Sequence, residues 1–157
     1  FRWIVIKPYG PGHFLNGLSI TGNSFRVFNA VVDRVEMQDT SITTLDFTRS
    51  RNVRVEGNSF NQVTQPIMNP VIVAHTQATA ADTWNVSAEG FIPFGGRIRM
   101  LVSVMPEGPI TNGQNALRYV FPHALAGTGA LFNEAQIKWG EAVKGKAIVS
   151  MRMDLPA

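Results

Sequence analysis

Charged side chains of both signs are concentrated in residues 33–56, and they are of the types that acid–base and calcium-assisted chemistry uses. Carboxylates stand there among arginines: Asp33, Glu36, Asp39, Asp46 and Glu56 with Arg34, Arg49, Arg51 and Arg54. Converging carboxylates can bind Ca²⁺, and a positioned base can remove a proton. Asp46, Glu56 and Arg54 are therefore the candidate catalytic residues, with Ca²⁺ as the cofactor only if the chemistry is that of a lyase. Because the signs alternate, a solvated, salt-bridged surface is the competing interpretation.

The histidines do not form a metal-binding pattern. His13, His75 and His123 lie far apart, without the short spacings of zinc ligands. The chain has no cysteine, which excludes disulfides, thiolate nucleophiles and cysteine zinc sites. It also lacks the Gly-x-Ser-x-Gly, phosphate-loop and dinucleotide motifs. We therefore expect no metal site.

Three aromatic residues are candidates for carbohydrate binding. Trp84, Tyr119 and Trp139 could stack on sugar rings if their side chains are exposed. Large aromatic side chains in a small β module more often form its core, so both interpretations remain open.

The composition limits the class of protein. The chain has 157 residues, of which 45% are hydrophobic and 16% charged, with a formal net charge of +3. This length fits one domain or two small ones. No block of Lys and Arg indicates nucleic-acid binding, and no apolar stretch reaches the ~18 residues of a membrane-spanning helix. We expect neither nucleic acid nor a membrane as a partner.

Two segments with the same pattern lie 35 residues apart. Leu18–Phe25 (LSITGNSF) aligns without a gap with Val53–Phe60 (VRVEGNSF). Alternating apolar and polar residues predict a short strand with every second side chain inward, and Gly-Asn predicts a left-handed corner. The structural residues of the repeat are Gly22, Asn23 and Phe25, then Gly57, Asn58 and Phe60. We expect the corners to stack and the two asparagines to hydrogen-bond along the stack, although two unrelated hairpin corners would show the same pattern.

Further short strands are predicted at 31–37 and 42–48, which gives three strands in each repeat. Such a unit cannot bury its inner face alone, and roughly three units are needed for stability. The chain begins with Phe1 and shows no signal-peptide pattern. We therefore expect a processed or recombinant C-terminal fragment of a longer stack.

The units at Gly17–Phe25 and Asn52–Phe60 resemble the coils of right-handed parallel β-helix proteins. This is the pectate-lyase-like and glycosyl-hydrolase-28-related group, which includes phage tailspike-like proteins. The resemblance implies an extracellular protein, secreted or on a virion surface, that is directed at polysaccharide and assembles as a homo-oligomer, specifically a trimer. This chain lacks the Asn-Thr-Asp, Asp-Asp and Gly-His-Gly motifs of the hydrolases, and the architecture also hosts non-catalytic adhesins.

The second half has a different sequence pattern. Strands of period two are predicted at 84–87, 97–105, 117–121, 136–139 and 146–153, separated by Gly- and Pro-containing turns. This spacing is typical of an antiparallel sandwich or jelly roll. The predicted core comprises Trp84, Ile98, Met100, Val102, Val104, Tyr119, Phe121, Ile137, Trp139, Val149 and Met151.

The predicted architecture is all-β and has three parts. Residues 1–74 are the last coils of a parallel β-helix, 75–81 are a linker or a departing strand, and 82–157 are a small antiparallel β-sandwich. We expect this chain to supply capping, oligomerisation or glycan contact rather than catalysis. The alternatives are a polysaccharide lyase or glycoside hydrolase with its site in the first half, and a structural fibre or adhesin module.

Overall fold

The protein is all-β in a computed structural model that describes residues 2–156. The first half holds β1 (Ile4–Ile6), β2 (Leu15–Asn16), β3 (Ser19–Thr21), β4 (Ser24–Arg26), β5 (Glu36–Gln38), β6 (Ser50–Arg51), β7 (Arg54–Glu56) and β8 (Ser59–Asn61). The second half holds β9 (Val71–Ser87), β10 (Met100–Pro106), β11 (His123–Thr128) and β12 (Glu134–Arg152). Two 3₁₀ turns cover Phe47–Arg49 and Pro93–Gly95. Among the described residues, none of the helical segments has the length and apolarity that crossing a bilayer requires.

The first half consists of two stacked units that pair in parallel. Strands β1–β4 form the first unit, and β5–β8 form the second. The pairing follows the sequence repeat, because Ser19 lies opposite Arg54 and Ser24 lies opposite Ser59. The alternation of the pattern places Ile20 and Val55 in the interior, where both are buried.

The two Gly-Asn-Ser-Phe corners lie one above the other, which confirms the stacking expected from the repeat. Gly22 and Gly57 have φ angles of 68° and 64°, a left-handed conformation that glycine adopts without steric cost. The rings of Phe25 and Phe60 stack with centroids 5.4 Å apart and planes at 17°. Beside them, the Asn23 side-chain amide donates to the Oδ1 of Asn58 at 3.1 Å.

The resemblance to right-handed parallel β-helix proteins of the pectate-lyase-like and tailspike-like group is wrong. The parallel pairs among the described residues are four separate two-stranded sheets, with strands of two or three residues, rather than continuous parallel sheets. The strand predicted at 42–48 does not form, because Asp46 caps a 3₁₀ turn through its Oδ1, which accepts from the Thr48 amide. A side chain that bonds to nearby backbone in this way competes with strand pairing.

The second half forms one four-stranded antiparallel sheet, which confirms its expected all-β, antiparallel character. The 19-residue β12 is central: β9 pairs along one edge, and β10 and β11 share the other. The strands predicted at 136–139 and 146–153 are one strand, β12, which ends at Arg152, because the intervening Val143 and Gly145 stay in the ladder with irregular register. Residues 75–81 lie inside β9 as a strand that leaves the first half, not as a linker.

A single hydrophobic cluster joins the stacked units to the antiparallel sheet. The burial predicted for six residues of the second half is confirmed: Trp84, Ile98, Ile137, Trp139, Val149 and Met151. Val102, Tyr119 and Phe121, also expected in the core, are exposed. For the last two the reason is that, among residues 2–156, segment 117–121 forms a single antiparallel bridge, Leu117 to Thr111, and no ladder that would turn its apolar side chains inward.

Candidate functional site

A buried polar cluster joins the sheet to the outer edge of the second unit. Asp154, at the end of the chain, accepts the Val53 amide on Oδ2 and the Asn69 amide on Oδ1, both at 2.8 Å. Arg152 donates to both carboxylate oxygens of Asp154 at 3.1 Å. Asp154 and Asn69 have no solvent exposure. A buried carboxylate with this many donors is compensated for its desolvation.

The same cluster satisfies the carbonyl group of Val53. Asn69 Nδ2 donates to it at 2.7 Å and Arg152 Nη2 at 2.8 Å. Two residues further along the chain, Val55 and Asn69 exchange backbone hydrogen bonds of 3.1 and 2.8 Å. The strand edge at 53–55, which faces away from the first unit, is therefore covered by residues of the sheet half.

A second polar contact holds the loop before β10 against the second unit. Glu36, whose side chain is fully buried, accepts the Phe94 amide at 3.0 Å and Arg34 Nη1 at 2.8 Å on the same Oε1. Arg34 also donates to the Ile92 carbonyl at 3.0 Å and to Gln65 at 2.6 Å. Glu36 and Arg34 belong to the charged cluster at 33–56, for which a solvated surface was one interpretation. Both instead serve as structural groups, Glu36 buried and Arg34 half-buried.

The candidate catalytic residue Asp46 caps a turn. Its Oδ1 accepts from both the hydroxyl and the amide of Thr48, and these bonds lower the pKa of the Asp46 carboxyl. Its own amide donates to Nε2 of His13 at 2.8 Å, while Nδ1 of His13 lies 2.9 Å from the Gly10 carbonyl. His13 is therefore a structural loop histidine, since both ring nitrogens are occupied by backbone groups.

The candidates Glu56 and Arg54 pair with each other on the exposed face of β7. Glu56 lines a groove of about 280 Å³ with an apolar floor; its other lining residues are Val55, Gly57, Asn58, Phe60, Pro66, Ile67, Met68, Pro70 and Ile72. Cleavage by two carboxylates requires a second acid about 5–10 Å away. Glu56 is the one acidic residue among the described residues lining this groove, and Asp46 is not among them. The geometry does not bring the three catalytic candidates together.

The aromatic candidates divide into buried and exposed rings. Trp84 and Trp139 are 0% and 5% exposed and pack with ring centroids 4.8 Å apart. The Trp84 indole donates to the Val143 carbonyl at 3.1 Å, which satisfies it inside the core. Both tryptophans therefore lie in the core, where their rings are covered by protein. Tyr119 is 89% exposed, so it remains a candidate.

Tyr119 belongs to a second groove of about 280 Å³, here called the aromatic groove, formed by residues 106–110 and 117–121. Phe121, two residues on, is 95% exposed. The two segments are joined by the Arg118 amide, which donates to the Ile110 carbonyl at 2.8 Å. The ion pair of Arg118 with Glu141 at 3.1 Å ties the second segment to β12. Within the described part of the chain, Tyr119 and Phe121 make no backbone–backbone hydrogen bond.

Among residues 2–156, no three His, Cys, Asp or Glu side chains converge as metal ligands would.

Asp39, one of the carboxylates at 33–56, pairs with Lys7 at 3.0 Å and accepts the Ser41 amide at 2.9 Å. Hydrogen bonds from Ser41, and then Lys7, lower the pKa of Asp39 to about 2.

Sequence reasoning missed Asn69, Asp154 and Phe121 as functional candidates. The first two lie 85 residues apart, so no local spacing relates them. Period-two alternation places Phe121 on the same face of the predicted strand as Tyr119, so the sequence predicts both in the core. The Pro and Gly residues on both sides of 110–121 were the available signal that this segment is not a regular strand.

Comparison of the chain with family models, curated proteins and solved structures gave no match.

Proposed function

We propose that this chain is a non-catalytic end module, in which the antiparallel sheet closes one end of the stacked units. The observation that carries this proposal is the buried Asp154 carboxylate on the Val53 amide, with Asn69 and Arg152 on the Val53 carbonyl. An open strand edge is a template for aggregation, so native proteins cover it. Asp154 accepts from the Val53 amide, and Asn69 and Arg152 donate to the Val53 carbonyl, so both backbone groups of this residue are satisfied.

The test compares two destabilised variants. Asp154→Ala leaves the Val53 amide and Arg152 without their buried partner, which costs about 3–5 kcal/mol. Trp84→Ala costs a similar amount, about 3–5 kcal/mol, by cavity formation, but leaves the edge covered. We expect light scattering at matched fractions of folded protein to show aggregation of Asp154→Ala well above that of Trp84→Ala. Equal aggregation of the two variants would overturn the capping role.

A second candidate function is glycan contact at the aromatic groove. Tyr119 and Phe121 are almost fully exposed, although aromatic rings are normally buried. Their free backbone groups supply hydrogen-bonding partners beside apolar faces, the combination common in small-molecule sites. This supports polysaccharide as the ligand class, which would place the protein outside the cell or on a virion surface.

The double variant Tyr119→Ala/Phe121→Ala tests this second function. We expect saturable binding in a panel of neutral and acidic polysaccharides, lost in the double variant and retained in Tyr9→Ala, a control that removes another exposed aromatic ring. If the native protein shows no saturable binding, glycan contact is contradicted. Sedimentation of the same samples decides whether the groove instead joins copies of the chain: self-association lost only in the double variant, including any trimer, assigns it to subunit contact.

A further inference from the structure

The two ends of the stacked units are unlike each other. At the second unit, the edge at Val53 and Val55 is covered by Asn69 and Asp154. At the first unit, β3 and β4 each pair on one edge only, with β7 and β8. Within the described residues, no strand pairs with their other edges.

The existing ladder shows which backbone groups the free edges present. Arg54 and Ser59 of the second unit donate their amides to the carbonyls of Leu18 and Asn23, each at 2.8 Å. In a parallel pair, alternate residues point to opposite sides. The residues of the first unit that occupy the positions of Arg54 and Ser59 are Ser19 and Ser24, so their amides point away from the second unit.

The corner asparagine of the free edge corresponds to one that already forms hydrogen bonds between the two units. Asn58 Oδ1 accepts the Asn23 backbone amide at 2.9 Å and its side-chain amide at 3.1 Å. Asn23 is the equivalent residue of the first unit, and its side-chain amide bonds the Thr21 carbonyl at 3.1 Å. Its Oδ1 is the matching acceptor for an incoming amide. The interior needs no additional cover, because Trp3 packs edge-on against Phe25 at 6.0 Å and Phe25 is buried.

These edges have only part of the usual protection. Natural edge strands are blunted by short length, charged side chains, Pro or a bulge; β3 and β4 are short and include Arg26, but residues 19–26 contain neither Lys nor Pro. Ser19, Thr21 and Ser24 are small, polar and exposed, which leaves the backbone accessible.

We infer that the free edges of β3 and β4 bind an extended polypeptide strand that runs parallel to them and carries the repeat's Gly-Asn-Ser-Phe corner. Its carbonyl groups accept from the Ser19 and Thr21 amides, as Leu18 accepts from Arg54. Its corner asparagine amide donates to Asn23 Oδ1. This is strand addition with main-chain bonds for affinity and the corner residues for register. It goes beyond capping, which concerns the opposite end.

The probe is a synthetic peptide with the sequence of residues 17–26, added to the native chain. Amide exchange by NMR is expected to slow about tenfold or more at Ser19, Thr21 and Ser24. The amides of Gly22 and Val27, which already donate to the second unit, should not change. A matched peptide, N-methylated at the positions of Ile20, Gly22, Asn23 and Phe25, cannot donate its backbone amides to the edge and should give no protection.

Each result decides the inference. Protection by the plain peptide but not by the methylated one supports it. Equal protection by both peptides, or none by either, overturns strand addition. Protection that rises with protein concentration in the absence of peptide identifies a second copy as the occupant and overturns the parallel-peptide version. None of these outcomes depends on Asp154, so failure here leaves the capping proposal standing.

Discussion

The Nδ2 of Asn69 donates to the Oδ1 of Asp154 at 2.8 Å, and neither side chain reaches solvent. Asn69 precedes β9 and Asp154 follows β12, so this bond closes the long antiparallel pair at the point where it leaves the stacked units. The stacked units and the sheet are thus connected by this polar joint as well as by the hydrophobic cluster. Stability of either half is expected to depend on this joint.

Asn69→Ala should destabilise the protein strongly. The substitution removes donors to Asp154 and Val53 and the acceptor of the Met153 amide at 3.0 Å. Each buried group left unpaired costs roughly 1–3 kcal/mol. Urea unfolding measures the loss, and Asn85→Ala, at an exposed site, is the control that should change stability by less than about 0.5 kcal/mol. Similar losses at the two sites would contradict the joint.

Asn58→Ala tests the asparagine contact between the two corners. Asn58 accepts twice from Asn23 and donates to the Ile20 carbonyl at 2.8 Å. We expect a loss of about 1–3 kcal/mol, since the site is partly open to water. Asn61→Ala, on the exposed face of β8, should have little effect. Indistinguishable thermal midpoints for the two variants would show that stacking does not depend on the amide.

Gly127→Ala should cost more than Gly10→Ala. Both glycines have positive φ, 70° and 68°, so an added Cβ is strained at each by about 1–2 kcal/mol. A Cβ at Gly127 would also lie 2.8 Å from the Ile98 carbonyl oxygen, whereas nothing lies within 4 Å at Gly10. The difference in unfolding free energy between the two variants measures the steric part alone. A smaller loss for Gly127→Ala than for Gly10→Ala would contradict the packing of β11 on Ile98.

Asp39 should titrate at about pH 2 in the folded protein, because Ser41 and then Lys7 stabilise its carboxylate. The folded pKa lies below the ordinary value of 3.8, so the contribution to stability is present above about pH 4 and is lost as the pH falls towards 2. NMR titration of the carboxyl carbon measures the pKa directly. Lys7→Gln should raise the pKa only part of the way, since Ser41 contributes most. Titration of the native chain near 3.8 would refute the Ser41 contact.

The corner of the repeat was predictable because its physics is local. Gly22 and Gly57 allow the left-handed turn, Phe25 returns inward three residues later, and the repeat length sets which residues face each other. Period-two alternation likewise indicated that Trp84, Ile137 and Val149 are buried in an all-β chain. In these cases each residue's position depends on neighbours within a few residues, or on an equivalent residue at a constant offset.

The candidate surfaces depended on contacts between distant parts of the chain. Alternation at 117–121 is the same for a buried strand and for an exposed segment, and Tyr119 and Phe121 are exposed because no strand of the described residues pairs with them. The resemblance to a β-helix failed because a repeated corner specifies how two units stack but not how many strands each sheet contains. Asp154 covers the edge at Val53 only because β9 and β12 bring the end of the chain back to it. Local sequence was enough to specify the turns and the alternation of faces, whereas contacts made on folding select which face, edge and carboxylate are exposed to water.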